Sequence, residues 1–179
     1  MTPTRDNARP LGPGADTASN ALAGGLQFDS TTGTASAQVA NLYADGLCEP
    51  RNPGGWACWG WLALGATGQI VASDCGAIGN GAGMTNNLAE YTAAIQALKW
   101  ANGAGLVGLT LRTDSQLVVN QAMGLWQCRA PNLWPLLVEL RALMAETRAQ
   151  LVWVPREQNS QADALSRKAY ALARNGGRP

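Results

Sequence analysis

The sequence predicts an α/β domain: a mixed five-stranded sheet, three antiparallel strands followed by two parallel ones, flanked by helices. Two features of its patterning lead there. Apolar segments with strand character come first, in series and with tight turns between them, as in an antiparallel meander. Segments of helical period then alternate with two short β-rich runs, as in β-α-β crossovers. With 179 residues, 46% of them hydrophobic, the chain has material for one domain of ordinary size.

The elements follow in order. Residues 1–36, mostly Ala, Thr, Gly, Pro, Ser, Asn and Asp, show no sustained period and read as a disordered tail. Within it, Leu26-Gln27-Phe28 is a weak candidate for an extra strand. The domain is expected over 37–174, with 175–179 as a short C-terminal tail. Val39–Asp45 reads as a strand closed by Gly46, and Trp56–Leu64 and Gln69–Ile78 as a hairpin. A turn centred on Ala66-Thr67 sets Cys58 opposite Cys75; two packed thiols are expected there rather than a disulfide. Thr85 opens a helix to about Asn102, with Leu88, Tyr91, Ile95 and Leu98 at helical spacing and Gly103-Ala104-Gly105 behind it. Val107–Thr113 is a strand, Ser115–Met123 a short helix stopped by Gly124, and Pro131–Arg148 a long helix. Leu151–Val154 is the last strand. Asn159 is expected to cap a final helix with Ala162, Leu165, Ala169 and Leu172 inward.

Composition excludes a good deal of chemistry. There is no histidine, hence no Ser-His-Asp or Cys-His nucleophile, no imidazole base and no His-ligated zinc. Cys48, Cys58, Cys75 and Cys128 contain no CxxC pair. The N-terminal residues carry no apolar run of secretory type, and the uncharged stretch 52–73 is interrupted by glycines, so a cytoplasmic protein with no membrane partner is expected. A net charge of +1 argues against bulk electrostatic coating of nucleic acid. The half from Arg112 to Arg174 nevertheless holds eight basic and five acidic residues.

Acid-base or metal chemistry must therefore come from carboxylates, of which there are only 12. Asp45 ends one predicted strand and Asp114 directly follows another; the two strands would be parallel neighbours, and ligands in α/β folds gather at such strand ends. Glu90 shares a helix face with Ala94, Ala97 and Ala101, an unusual place for an unpaired carboxylate. Asp163 begins the last helix. Plainer readings stand beside these: Asp45 as a turn residue, Asp114 as the cap of the helix at Ser115, Asp163 as a complement to the helix dipole. Four like charges without histidine or lysine would repel one another and call for divalent cations, and oxygen-only ligands point to magnesium or manganese.

Four segments make a resemblance specific: Tyr43-Ala-Asp45-Gly46, Thr85-Asn86-Asn87-Leu-Ala-Glu90-Tyr91, Thr113-Asp114-Ser115-Gln116 and Asn159-Ser-Gln-Ala-Asp163-Ala-Leu-Ser166. In order and placement they resemble the signature segments of type 1 ribonuclease H across residues 39–173. The resemblance implies hydrolysis of the RNA strand of RNA–DNA hybrids, leaving 5′-phosphate and 3′-hydroxyl ends. It implies two magnesium ions, or manganese in their place, about 3.5–4 Å apart. Asp45 would bridge them, Asp163 would hold the ion on the attacking-water side, and Glu90 and Asp114 the ion on the leaving-group side. It further implies that Asn86, Asn87, Ser115 and Gln116, with backbone near Gly46, Cys48 and Asn52, read 2′-hydroxyls in the minor groove. Thr85 resembles a contact to a DNA-strand phosphate. Double-stranded RNA is a further candidate substrate, and a monomer is expected.

The chain departs from many bacterial members in two places. Gly124-Leu-Trp-Gln-Cys-Arg-Ala-Pro131 passes straight into the long helix, so the basic protrusion is missing. Trp126 and Arg129 either contact nucleic acid in its place or, for Trp126, pack on the core. Val154-Pro-Arg-Glu-Gln-Asn159 replaces the histidine loop, resembling archaeal-like members; Arg156 or Glu157 is the candidate to take over part of its role, and Arg156 is also expected to contact substrate. The residues leave open a nuclease of the same fold acting on DNA, a non-catalytic nucleic-acid-binding module, and a domain whose carboxylates are only caps and turns.

Overall fold

The computed structural model describes residue 39 and residues 41–176. The readings made of residues 1–36, of Leu26-Gln27-Phe28 and of residues 177–179 lie outside the described residues. The chain runs β1 (Asn41–Glu49), β2 (Trp56–Leu64), β3 (Ile70–Asn80), α1 (Asn86–Gly103), β4 (Thr110–Thr113), α2 (Gln116–Ala122), α3 (Trp134–Thr147), β5 (Gln150–Trp153), a short 3-10 turn over Arg156–Gln158, and α4 (Ser160–Arg174). The five strands form one sheet in the order β3-β2-β1-β4-β5. β1–β2 and β2–β3 pair antiparallel, while β1–β4 and β4–β5 pair parallel. The predicted fold class is the observed one.

Strand alternation divides the interior in two. From β1, Leu42 and Ala44 point into the larger core with Trp61, Ala63 and Leu111, against α1 and α3. Helix α1 approaches closely because its inner face is Ala89, Ala93, Ala94, Ala97 and Ala101, all fully buried. From the other side of β1, Leu47 joins Cys58, Cys75 and Ala169 under α4. Gly60 lets α4 come down onto the sheet: a Cβ there would lie 2.5 Å from the backbone nitrogen of Ser166.

Several boundaries differ from the sequence reading, each for a physical reason. β1 does not stop at Gly46 but runs on to Glu49, pairing with β2 throughout. A Cβ at Gly46 would sit 2.2 Å from the backbone of Ala89 and Glu90, so this glycine admits helix α1 rather than ending a strand. β4 begins at Thr110 rather than Val107, because Gly108 adopts φ 74° and breaks the extended chain. α3 begins at Trp134 rather than Pro131, after a turn in which Leu133 N donates to the Ala130 carbonyl. The hairpin loop has three residues, not two: Gly65 N donates to Gln69 O, and Gly68 takes φ 82°. The register moves by one residue at the loop and by a second at the irregularity between Ala63 and Leu64. Cys58 stands opposite Ala77 and Cys75 opposite Gly60, and all four cysteines are free thiols.

Candidate functional site

Asp45 lies in the middle of β1 and faces α4, not in a turn. Its carboxyl is 7% exposed, and Ser166 Oγ donates to Oδ2 at 2.5 Å. Burial pushes its pKa up to about 7; the Ser166 hydrogen bond works against that, and the charges of Asp114, Asp163 and Glu90 add to it.

Glu90 stands one turn into α1, at the end nearest the strand β4–α2 junction. Asn86 Nδ2, one turn back, donates to Oε1 at 2.7 Å, and Ser115 Oγ donates to Oε2 at 2.5 Å. Burial raises its pKa to about 7 despite the Ser115 hydrogen bond, with Asp114 adding repulsion. Ser115 has two tasks, since its Oγ also accepts from Val118 N as the N-cap of α2. Asp114 is therefore not the cap of that helix; its Oδ1 accepts from Asn159 Nδ2 at 3.0 Å. Its carbonyl accepts from Trp153 Nε1 at 3.1 Å.

Asn159 differs from expectation as well. It precedes α4, but its side chain caps nothing. Nδ2 donates instead to the Ala44 carbonyl and to Asp114, tying the loop before α4 to both carboxylate-bearing strands. Its Oδ1 is buried without a partner. Asp163, in the first turn of α4, is held by Arg156 Nη2 at 2.7 Å and by Arg167 Nε at 2.7 Å. Burial opposes its ionisation, but the hydrogen bond and charge of Arg167, followed by Arg156, outweigh it and hold the carboxyl below the usual range.

The four carboxylates thus come from β1, α1, the β4–α2 junction and α4, and act on one another electrostatically. Among the described residues no three of them close on a common point as the side chains stand. Each is tied to a neighbour of its own. The donor set still fits divalent cations: hard oxygens, two of them buried acids with no ion-pair partner among the described residues, and an orphaned amide oxygen beside them.

A shallow cleft of about 360 Å³ lies against Glu90 and Asp114 and is lined also by Asn87, Ser115, Gln116, Trp153 and Arg156. Of the polar residues expected to read substrate, Asn87, Ser115, Gln116 and Arg156 line it. Asn86 turns to Glu90, and Asn52 Oδ1 accepts from Asn86 N at 3.0 Å. Thr85 is the N-cap of α1, its Oγ1 accepting from Leu88 N at 3.1 Å. Cys48 is buried, with its thiol donating to the Arg51 carbonyl at 3.3 Å. Trp126 does not pack on the core: it is 49% exposed and lines a separate hollow with Arg129 and Trp134. Ser166 and Arg167 escaped the sequence reading. A signal for Ser166 existed, as a polar residue between Ala162 and Ala169 on the inner face of a helix.

A mixed sheet of this order, with one carboxylate on the central strand β1 and another directly after its parallel neighbour β4, defines an α/β domain of the ribonuclease H fold, and comparison with known proteins makes this particular. The profile of the reverse transcriptase-like family matches residues 44–169. Ribonuclease HI of Halobacterium salinarum is 40% identical over 130 residues, 72% of this chain and 63% of that one. The crystal structure of RNase H1 from that archaeon superposes with a TM-score of 0.65 at 38% identity, covering 72% of this chain and 95% of that one. LC11-RNase H1, solved in complex with an RNA/DNA hybrid, gives a TM-score of 0.67 at 30% identity, covering 74% of this chain and 97% of that one. The chain belongs to the reverse transcriptase-like, ribonuclease H-like family. It spans 63% of the length of the curated archaeal relative. Among the described residues no helix is long and apolar enough to cross a membrane.

Proposed function

We propose that this protein is a metal-dependent endonuclease that cuts the RNA strand of RNA–DNA hybrids, leaving 5′-phosphate and 3′-hydroxyl ends. The observation that carries the reading is the concentration of negative charge at Asp45, where burial and three further carboxylates act together and, among the described residues, no cationic side chain forms an ion pair with it. A cap or turn role for these residues explains neither Asp45 in mid-strand nor Glu90 on an alanine face. The relative solved with an RNA/DNA hybrid supports the substrate class.

Asp45, Glu90, Asp114 and Asp163 would hold two magnesium ions, or manganese, with Asp45 shared between them. When bound, such a pair activates the attacking water and stabilises the leaving oxygen. The protein's own groups fix the carboxylates for that task. Ser166 orients Asp45, Ser115 and Asn86 orient Glu90, and Asn159 holds Asp114 at a fixed distance from β1. Asn87 and Gln116, at the cleft, supply neutral donors and acceptors suited to 2′-hydroxyls. Arg156, 65% exposed in its side chain, is placed to draw a phosphate toward the cleft. Ser115, Asn86, Asn52 and Cys48 support the reading surface by holding its backbone, while Gly46 and Thr85 shape the start of α1. Trp126 and Arg129 offer a second, more distant contact for nucleic acid. All four carboxylates come from one chain, so a monomer suffices.

The test is cleavage of matched RNA–DNA hybrid, double-stranded RNA and double-stranded DNA, with and without Mg²⁺. Magnesium-dependent cutting confined to RNA strands supports the reading. Cutting of DNA alone would replace it with the DNA-nuclease alternative, and binding without cutting would favour a non-catalytic module.

A further inference from the structure

Asp163 differs from the other three carboxylates in what holds it. Asp45 and Glu90 are held by hydroxyl and amide groups, and Asp114 by an amide. Both oxygens of Asp163 are taken by guanidinium groups. Arg167 reaches across one helical turn with Nε 2.7 Å from Oδ2 and Nη2 3.2 Å from Oδ1. Arg156 Nη2 adds a contact of 2.7 Å to Oδ1. A forked contact of this kind satisfies a carboxylate's directions of approach and needs no distortion at spacing i, i+4 on a helix. A cation and a guanidinium cannot both occupy those positions at full strength.

We propose that Arg167 is a positioning residue that keeps Asp163 closed to divalent cations until substrate arrives. This rests on the metal-site reading given above and adds a device to it. The side chains of Arg167 and Arg156 are 54% and 65% exposed. Both can therefore leave the carboxylate for a phosphodiester, which also takes guanidinium in a forked geometry. Nucleic acid drawing the arginines away would leave both oxygens of Asp163 open to a cation.

The test is the Mg²⁺ binding isotherm of the free protein, without nucleic acid, at about 0.1 M monovalent salt. Arg167→Ala is expected to bind Mg²⁺ about two- to fivefold more tightly, the change that removing an exposed ion pair corresponds to. Arg167→Lys, which keeps the charge but loses the fork, should fall between the two. The decisive comparison is made in an Asp163→Asn background, where the same Arg167→Ala change should alter Mg²⁺ affinity by less than in the parent. An equal effect in both backgrounds would mean that Arg167 acts only through its distant charge, and would overturn the inference. So would unchanged affinity in Arg167→Ala. Absence of Mg²⁺ binding to every variant, parent included, would instead overturn the metal-site reading on which the inference stands. Circular dichroism of each variant checks that the helix is intact.

Discussion

Replacing Asp45 by asparagine removes the buried charge while keeping the side chain's shape and an oxygen for Ser166. The carboxyl's pKa is raised from 3.8 to about 7, chiefly by burial. That gap corresponds to about 4 kcal/mol of preference for the neutral form in the folded state, an upper bound for what the charge takes from stability above neutrality. The sign follows from proton counts. Between about pH 4 and pH 7 the folded chain keeps a proton that the unfolded chain has lost, so this group's contribution to stability is present at low pH and is lost as pH rises through about 7. Asp45→Asn and the parent should therefore unfold at similar urea concentrations at pH 4. At pH 8, in EDTA, the variant should be more stable by roughly 2–4 kcal/mol. Added Mg²⁺ should narrow the difference by stabilising the parent alone. Equal stability of the two proteins at pH 8, or a difference independent of pH, would refute the account of Asp45 as a charge held against its own burial.

Other predictions use the same structure. Glu90→Gln should abolish the Mg²⁺-induced rise in melting temperature at pH 8, measured by thermal shift, because Glu90, like Asp45, must lose its proton to hold a cation. For the same reason hybrid cleavage by the parent should increase as pH rises through about 7. Gly46→Ala should destabilise the fold by about 3 kcal/mol or more in urea titration, since its Cβ would lie 2.2 Å from the α1 backbone. Arg156→Ala or Glu157→Ala should lower single-turnover hybrid cleavage; if both leave it unchanged, neither stands in for the missing histidine.

Most of the fold was legible because its signals are local. Period-2 and period-3.6 patterning, Thr85 at the start of a helix, and glycines after helices placed nine elements in the right order and the sheet in the right class, although the cap of α2 is Ser115 and not Asp114. The differences arise where a distant element decides. Gly46 looks like a terminator until α1 is seen lying on it. The β2–β3 register depends on whether Gly68 takes a left-handed conformation, and one additional loop residue together with the register shift between Ala63 and Leu64 moves the partner of Cys58 two places, from Cys75 to Ala77. The four carboxylates stood out because charge is scarce and because their positions defy burial rules. What holds them was less visible. Ser166 meets Asp45 across 121 residues of sequence and Asn159 meets Asp114 across 45, contacts that only the closed sheet creates. Asn159 was expected to cap a helix, yet two strands compete for the same amide.

The most direct test of the central claim is single-turnover cleavage of an RNA–DNA hybrid carrying end-labelled RNA, by the parent and by Asp45→Asn, in Mg²⁺ and in EDTA. The account predicts RNA fragments with 5′-phosphate and 3′-hydroxyl ends from the parent in Mg²⁺ only. It predicts no detectable cleavage by Asp45→Asn, which should still bind the hybrid. Cleavage by Asp45→Asn at the parent's rate, or by the parent in EDTA, would contradict it.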